Sequence, residues 1–412
     1  MVYYVYLFSF LGCVAYAGCK LRKPDLLTLC IIACGYYSSA LLFGEVYDPE
    51  NRGYVEINDF IYIFYSFLFV MLTVAVYLND QYFDKDVKNY GGTIPSDFFY
   101  FHIPILTILF LTMNIIDSRS FFPDEVGGFS ATSFGAFYNI YWVSALIFLA
   151  ASFRTNNIFL KTVAIFFLLT TLTAGSRAFF TAGCFSILLW FFQTKSEIRL
   201  LMSIKRLSIV LFGFLFLLVY KNIYQYLLVL DYEMLLKAGL DFDLIIFRLT
   251  KGSESIVLLN FQHAMALYQE SKGSFFDLIT IKTIPFVSEL YIEGFNFDAR
   301  TLSDLVDESY YQTVNYGMAS SIWGLFYYVS GPLGCLMFGF TYVCIIFYLN
   351  VRIKKNDLIS LHLIPASIFM AFYASRMEIG AMIFPFYMSF FILIGFKLFR
   401  MILPRRGVKT HG

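Results

Sequence analysis

Charge is scarce in this chain. Only 14% of its 412 residues are Asp, Glu, Lys or Arg, against about 25% in a soluble domain. The net charge is +1, so there is no basic field to draw in a phosphate backbone, which excludes nucleic acid as a partner. Cysteine is sparse where it would matter most. The seven cysteines (Cys13, Cys19, Cys30, Cys34, Cys184, Cys335 and Cys344) all fall in or beside apolar segments. A long polar stretch near 227–315 has none, so disulfides do not staple it. Cys30 and Cys34 share a helix face, but two thiols are too few for a structural metal, and they read as small buried hydrophobes. Absent too are a phosphate-cradling glycine loop, a nucleophile elbow and a zinc signature. Nothing points to ATP or to a bound cofactor.

What is abundant is apolar surface. Hydrophobic residues make up 59% of the chain and aromatics 20%, with a mean hydropathy of +0.69. Apolar runs near bilayer length recur at 2–19, 25–43, 60–78, 98–116, 134–153, 158–175, 178–194, 207–226, 331–350, 358–375 and 379–399. That makes about eleven spans of ~20 residues. Most of the aromatics belong to interfacial belts and helix packing. The first run lacks a basic region before it, and Lys20, Arg22 and Lys23 follow instead. It therefore reads as an anchored helix with its N-terminus outside, not as a cleaved signal. Extending that sidedness along the chain puts nineteen Lys and Arg in inner loops and the C-terminal end. Only Arg52, Arg119, Arg177 and Arg376 fall in short outer loops.

The expected architecture is all-α: a polytopic transmembrane helix bundle, N-terminus out and C-terminus in, with one large external, partly helical loop. Residues 1–226 supply eight spans and 227–317 the external loop. Residues 318–330 form a membrane-entering or interfacial helix, and 331–412 supply three further spans and a cytoplasmic tail. Within the loop, Tyr232–Ala238 and Ile256–Gln269 have helical spacing, with Gly239 where a helix would end. Thirteen acidic residues face six basic ones from Asp231 to Glu308. Any anion site there must be made locally by particular cations.

Of the outer arginines that run against the topogenic trend, Arg177 and Arg376 are candidates for function, beside cations of the long loop. Arg177, in Thr173-Ala-Gly-Ser-Arg-Ala-Phe179, either grips a phosphate with its planar fork or snorkels to lipid headgroups. Arg248, Lys251 and Glu254 share one helical face. They read as further cations with a carboxylate or the His263 imidazole as general base, or as ordinary ion pairs on a wet helix. Arg300 precedes Asp304, Asp307, Glu308, Tyr310 and Tyr311, groups that suit sugar hydroxyls and pyranose faces as well as an incidental polar loop. Arg376, with Glu378, occupies a tight turn before the last span. Two carboxylate pairs, Asp48-Pro-Glu50 and Asp241-Phe-Asp243, have metal-like spacing, but neither has an obvious third ligand.

The stretch Met318–Gly339, in which a small-residue cluster leads into an apolar helix and a Gly331-x-x-Gly334 turn, resembles the closing part of the large loop in Wzy-type polymerases of O-antigen and related polysaccharides. Arg376-Met-Glu-Ile-Gly380 is similar to that family's turn before the final helix, and Gly175-Ser-Arg177 fits as well. The likeness covers about residues 170–400 and is one of pattern. Related O-antigen ligases carry a histidine eleven residues before the glycine turn, where this chain has Ser320. The resemblance implies a GT-C-type, metal-independent, inverting glycosyl transfer at the periplasmic face of a bacterial inner membrane. Its substrates would be undecaprenyl-pyrophosphate-linked oligosaccharides, and its partners membrane lipids, a flippase and a chain-length regulator. Arg177, Arg248, Arg300 and Arg376 would receive the charge of the departing pyrophosphate. A ligase onto lipid A core shares the architecture. A transporter of lipid-linked oligosaccharide would place more charge inside its spans.

Overall fold

The computed structural model describes residues 1–19, 25–48, 50–83, 94–116, 135–173, 177–194, 232–239, 241, 256–270, 302–311, 321–355, 357–376 and 379–402. These residues are overwhelmingly helical. The helices are α1 (Val2–Cys19), α2 (Leu26–Tyr37), α3 (Asp59–Tyr82), α4 (Ser96–Ile116), α5 (Gly135–Phe153), α6 (Ile158–Thr173) and α7 (Arg177–Thr194). They continue with α8 (Tyr232–Gly239), α9 (Ile256–Glu270), α10 (Leu302–Tyr310), α11 (Ile322–Ile353), α12 (Leu358–Tyr373) and α13 (Ile379–Ile402). Five of the described helices are long and apolar enough to cross a membrane, and five shorter ones are apolar. The expected run at 207–226 lies outside the described residues. The segment between α2 and α3, which holds Asp48-Pro-Glu50, is not a plain loop. It contains an antiparallel hairpin, β1 (Glu45–Asp48) and β2 (Gly53–Glu56), paired Glu45 to Glu56 and Tyr47 to Tyr54.

The chain divides into two compact units. The first comprises Met1–Lys88, Phe191–Lys355 and Ser367–Phe384; the second comprises Asn89–Trp190, Asn356–Ala366 and Pro385–Gly412. In the first, α1 lies along α3, with Tyr6 meeting Tyr62 and Phe69 at 6.0 and 6.1 Å between ring centroids. Tyr6 also donates its hydroxyl to the Ser38 carbonyl at 3.0 Å. Helix α11 packs on α3, where Gly339 admits Phe64 and Leu68 closely enough that a Cβ would lie 3.1 Å from the Phe64 ring.

Three helix ends of this unit are tied by a buried polar knot. Asp25 caps α2 by accepting from the Thr28 amide at 3.1 Å. Its other oxygen takes Asn350 Nδ2 at 3.0 Å and Lys354 Nζ at 3.3 Å. Asn79, at the end of α3, accepts from Asn350 Nδ2 and Lys354 Nζ at 3.1 Å each. The Leu26 amide donates to Asn350 Oδ1 at 3.1 Å. In a low-dielectric interior such hydrogen bonds are strengthened and the loss of one partner is costly.

Helix α11 is broken at Gly331, whose φ of 71° and ψ of −168° are not helical. That region is open essentially to glycine alone, and Pro332 next to it removes a backbone donor. A Cβ at Gly331 would lie 2.7 Å from the Tyr268 hydroxyl. Gly331→Ala is therefore expected to cost at least ~1–3 kcal/mol from the backbone alone, read as a lowered thermal midpoint in detergent. Tyr268→Ala in the same chain removes the collision but should leave that backbone share.

In the second unit α4, α5 and α6 pack in sequence. Tyr141 and Thr170 share a hydrogen bond of 2.7 Å, and Trp142 stacks on Phe179 of α7 at 3.9 Å. Gly183 of α7 has the Leu146 and Leu168 side chains against it.

A candidate site where the long loop docks on helix α11

Helix α9 is buried over most of its length: Val257, Leu258, Leu259, Phe261, Ala264, Met265 and Leu267 are all buried. It lies against the first turns of α11, and Gly324 is what lets it come close. A Cβ there would sit 3.2 Å from Ala264 Cβ and 3.4 Å from Phe261 Cα. Phe261 meets Phe64 of α3 at 5.6 Å, edge to face. Gln262 adds a main-chain grip, donating to the Glu56 carbonyl at 3.1 Å and accepting from the Asn58 amide at 3.2 Å. Asn58 is itself the N-cap of α3.

This docking presents His263 to a pair of tyrosines from 47 and 48 residues further along. The imidazole stacks on Tyr310 at 4.0 Å and 15°, and meets the Tyr311 ring edge-on at 5.5 Å. Tyr311 is 6% exposed and donates its hydroxyl to Asn260 Oδ1 at 2.9 Å. Its phenol is held well above the ordinary range by burial, and by the carboxylates of Asp48, Asp307 and Glu50. Tyr311 is thus a strut under the platform, whereas Tyr310 and His263 are half-buried at its surface.

Burial lowers the His263 imidazole from 6.5 to about 4, with the Asp48 carboxylate pulling the other way. The ring is neutral near pH 7 and carries a lone pair, so it accepts a proton, though as a weak base. The sign for stability follows. The folded state disfavours imidazolium, so the contribution is complete above pH ~6.5 and is lost as the pH falls toward ~4. Thermal midpoints measured across that window should fall more steeply for the wild type than for His263→Gln.

Asp48 was singled out in the sequence for its spacing to Glu50. Its oxygens instead hold the hairpin turn, accepting from the Glu50 amide at 2.9 Å and from Asn51 Nδ2 at 2.6 Å. Arg52 at the same turn adopts a left-handed φ of 50°. Asp48, Asn260 and Gln262 escaped notice as supports of the site.

The remaining sequence candidates separate. Arg376 belongs to the same unit and is half-buried at the end of a 3-10 turn, Ala374–Arg376. Its neighbour Ser375 accepts from Trp323 Nε1 of α11 at 3.0 Å. Arg177 opens α7 and belongs to the second unit. Arg248, Lys251, Glu254 and Arg300 lie outside the described residues.

With five bilayer-length apolar helices and five shorter ones, the chain is a helical membrane protein. In comparisons with protein-family models, curated proteins and solved structures, nothing matches it.

Proposed function

We propose that this protein is an O-antigen polymerase: a glycosyltransferase joining undecaprenyl-pyrophosphate-linked oligosaccharide repeat units at the periplasmic face of a bacterial inner membrane. The observation that carries the reading is the platform of His263, Tyr310 and Tyr311, gathered from distant parts of the long loop onto the first turns of α11. The charge asymmetry of the loops supports an external placement for it.

In this reading the hydroxyl of an incoming lipid-linked unit attacks the anomeric carbon of the growing glycan from the face opposite its diphosphate. A new glycosidic C–O bond forms with inversion, and the C–O bond to undecaprenyl pyrophosphate breaks. The His263 lone pair takes the hydroxyl proton, a contribution typically of ~10²–10⁴-fold. The reading assigns the charge that leaves with the pyrophosphate to Arg177, Arg248, Arg300 and Arg376, with Lys251 as a further cation and Glu254 as the alternative base. Tyr310 offers a ring to the sugar. Holding both lipid-linked substrates side by side supplies the rest by proximity.

The test is reconstitution. Purified protein with synthetic lipid-linked repeats and EDTA should produce a ladder of polymer with release of undecaprenyl pyrophosphate. Transfer only to lipid A core, or no transfer under any condition, overturns the reading. Polymer that forms only after Mg²⁺ is added removes its metal-independent part.

A further inference from the structure

The second unit buries two histidines that the glycosyl-transfer reading leaves unused. His102 on α4 is 0% exposed and His362 on α12 is 1% exposed. Their ring centroids lie 6.0 Å apart at 46°. The walls around them are phenyl rings: Phe98 and Phe101 at 4.2 and 5.2 Å from His102, and Phe396 of α13 at 6.5 Å from His362.

His362 Nδ1 lies 2.8 Å from the Leu358 carbonyl oxygen. A carbonyl only accepts, so Nδ1 carries the hydrogen and Nε2 presents its lone pair. That Nε2 and both nitrogens of His102 are buried without a hydrogen-bond partner among the described residues. Polar atoms in that condition are costly in an apolar interior. A ring whose far N–H is fixed by a main-chain carbonyl is also how a metal-ligating histidine is usually oriented.

The donor set then selects the ligand. Among the described residues no group of three His, Cys, Asp or Glu side chains is suited to a metal ion, so zinc, with its four-coordinate sites, is a poor match. A closed-shell monovalent ion is content with two opposed nitrogen donors. A metal–imidazole bond is about 2 Å, so two such bonds span about 4 Å. The 6.0 Å separation leaves the balance for the two ring radii. A single positive charge is the least to bring into an apolar cage, and phenyl faces offset part of it. Of the charged side chains on the neighbouring helix ends, Asp97 of α4 and Arg400 of α13 pair with each other at 3.8 Å, and the Lys397 ammonium of α13 acts on His362, which further favours the smallest cationic charge.

We propose that His102 and His362 form a two-coordinate binding site for a soft monovalent cation, Cu⁺ or Ag⁺. This site is independent of the glycosyl-transfer reading. The test uses the full chain in detergent under anaerobic conditions, with accessible thiols alkylated and Cu⁺ supplied from a chelator buffer. The wild type should retain one copper more than His102→Phe, His362→Phe or His102→Gln. Its copper X-ray absorption should contain a two-coordinate imidazole shell that the variants lose. Equal copper content in wild type and variants overturns the proposal. An all-sulfur shell in the wild type overturns it as well, and that spectrum decides the matter even if a variant fails to fold.

Discussion

Alanine at Arg177 or Arg376 is expected to abolish long glycan chains while leaving the protein in the membrane. If diphosphate departs without a metal, its developing charge must be met by guanidinium groups already in place. Removing one preplaced donor from such a site typically costs ~10²–10³-fold in rate. The planar fork makes two parallel bonds to phosphate oxygens that an ammonium does not copy. Arg177→Lys and Arg376→Lys should therefore recover only part of the activity. The readout is chain-length banding of surface polysaccharide in a complemented deletion strain, beside membrane abundance of each variant. Ser375→Ala serves as the control for Arg376, because it removes the hydroxyl that accepts from Trp323 without touching the cation. Normal banding from both alanine variants would refute the clamp.

The largest effect on stability is expected at Asp25. Alanine there withdraws the helix cap of α2 and the carboxylate facing Lys354 together. The side chains of that ion pair are 12% and 4% exposed. Removing one member of a buried pair typically costs ~3–5 kcal/mol, because the remaining charge keeps its desolvation penalty. Lys354→Met in the Asp25→Ala background should restore a substantial part of the loss. Asp25→Asn keeps an oxygen to accept from Thr28 and should fall between. Thermal unfolding of the wild type, Asp25→Ala, Lys354→Met and the double variant in one detergent measures the coupling directly, and additive losses would show that the knot is not a unit.

Much of the helix layout can be read from apolar runs alone, since a stretch such as 60–78 or 379–399 is hydrophobic on all sides and has little choice of structure. Two helices of the polar loop are legible for a different reason. Ile256–Glu270 carries its core residues at helical spacing, and Tyr232–Gly239 is bounded by its own breakers. The hairpin at Glu45–Glu56 is not legible in the same way. Four-residue strands give only two inward positions each, too few for a period to stand out from a polar turn. Helix α10 escapes because its inward residues Leu302 and Val306 lie among Ser303, Asp304, Asp307 and Glu308, so composition reads as loop.

The candidate site is legible as an inventory and not as an arrangement. His263, Tyr310 and Tyr311 were each singled out, but their contact depends on α9 seating against Gly324, a long-range fit that no local pattern encodes. Nor does spacing reveal that Asp48 closes a turn, because a carboxylate two residues from another looks the same whether it binds a metal or a backbone amide.

The grip of Gln262 has an evolutionary corollary. It holds the Glu56 carbonyl and the Asn58 amide, groups that every amino acid at those positions carries, apart from proline at the latter. The segment between β2 and α3 is thereby released from having to conserve its side chains in order to seat α9. The outward side chains of this hairpin can therefore vary while the seat of α9, and with it the cluster of His263, Tyr310 and Tyr311, stays put.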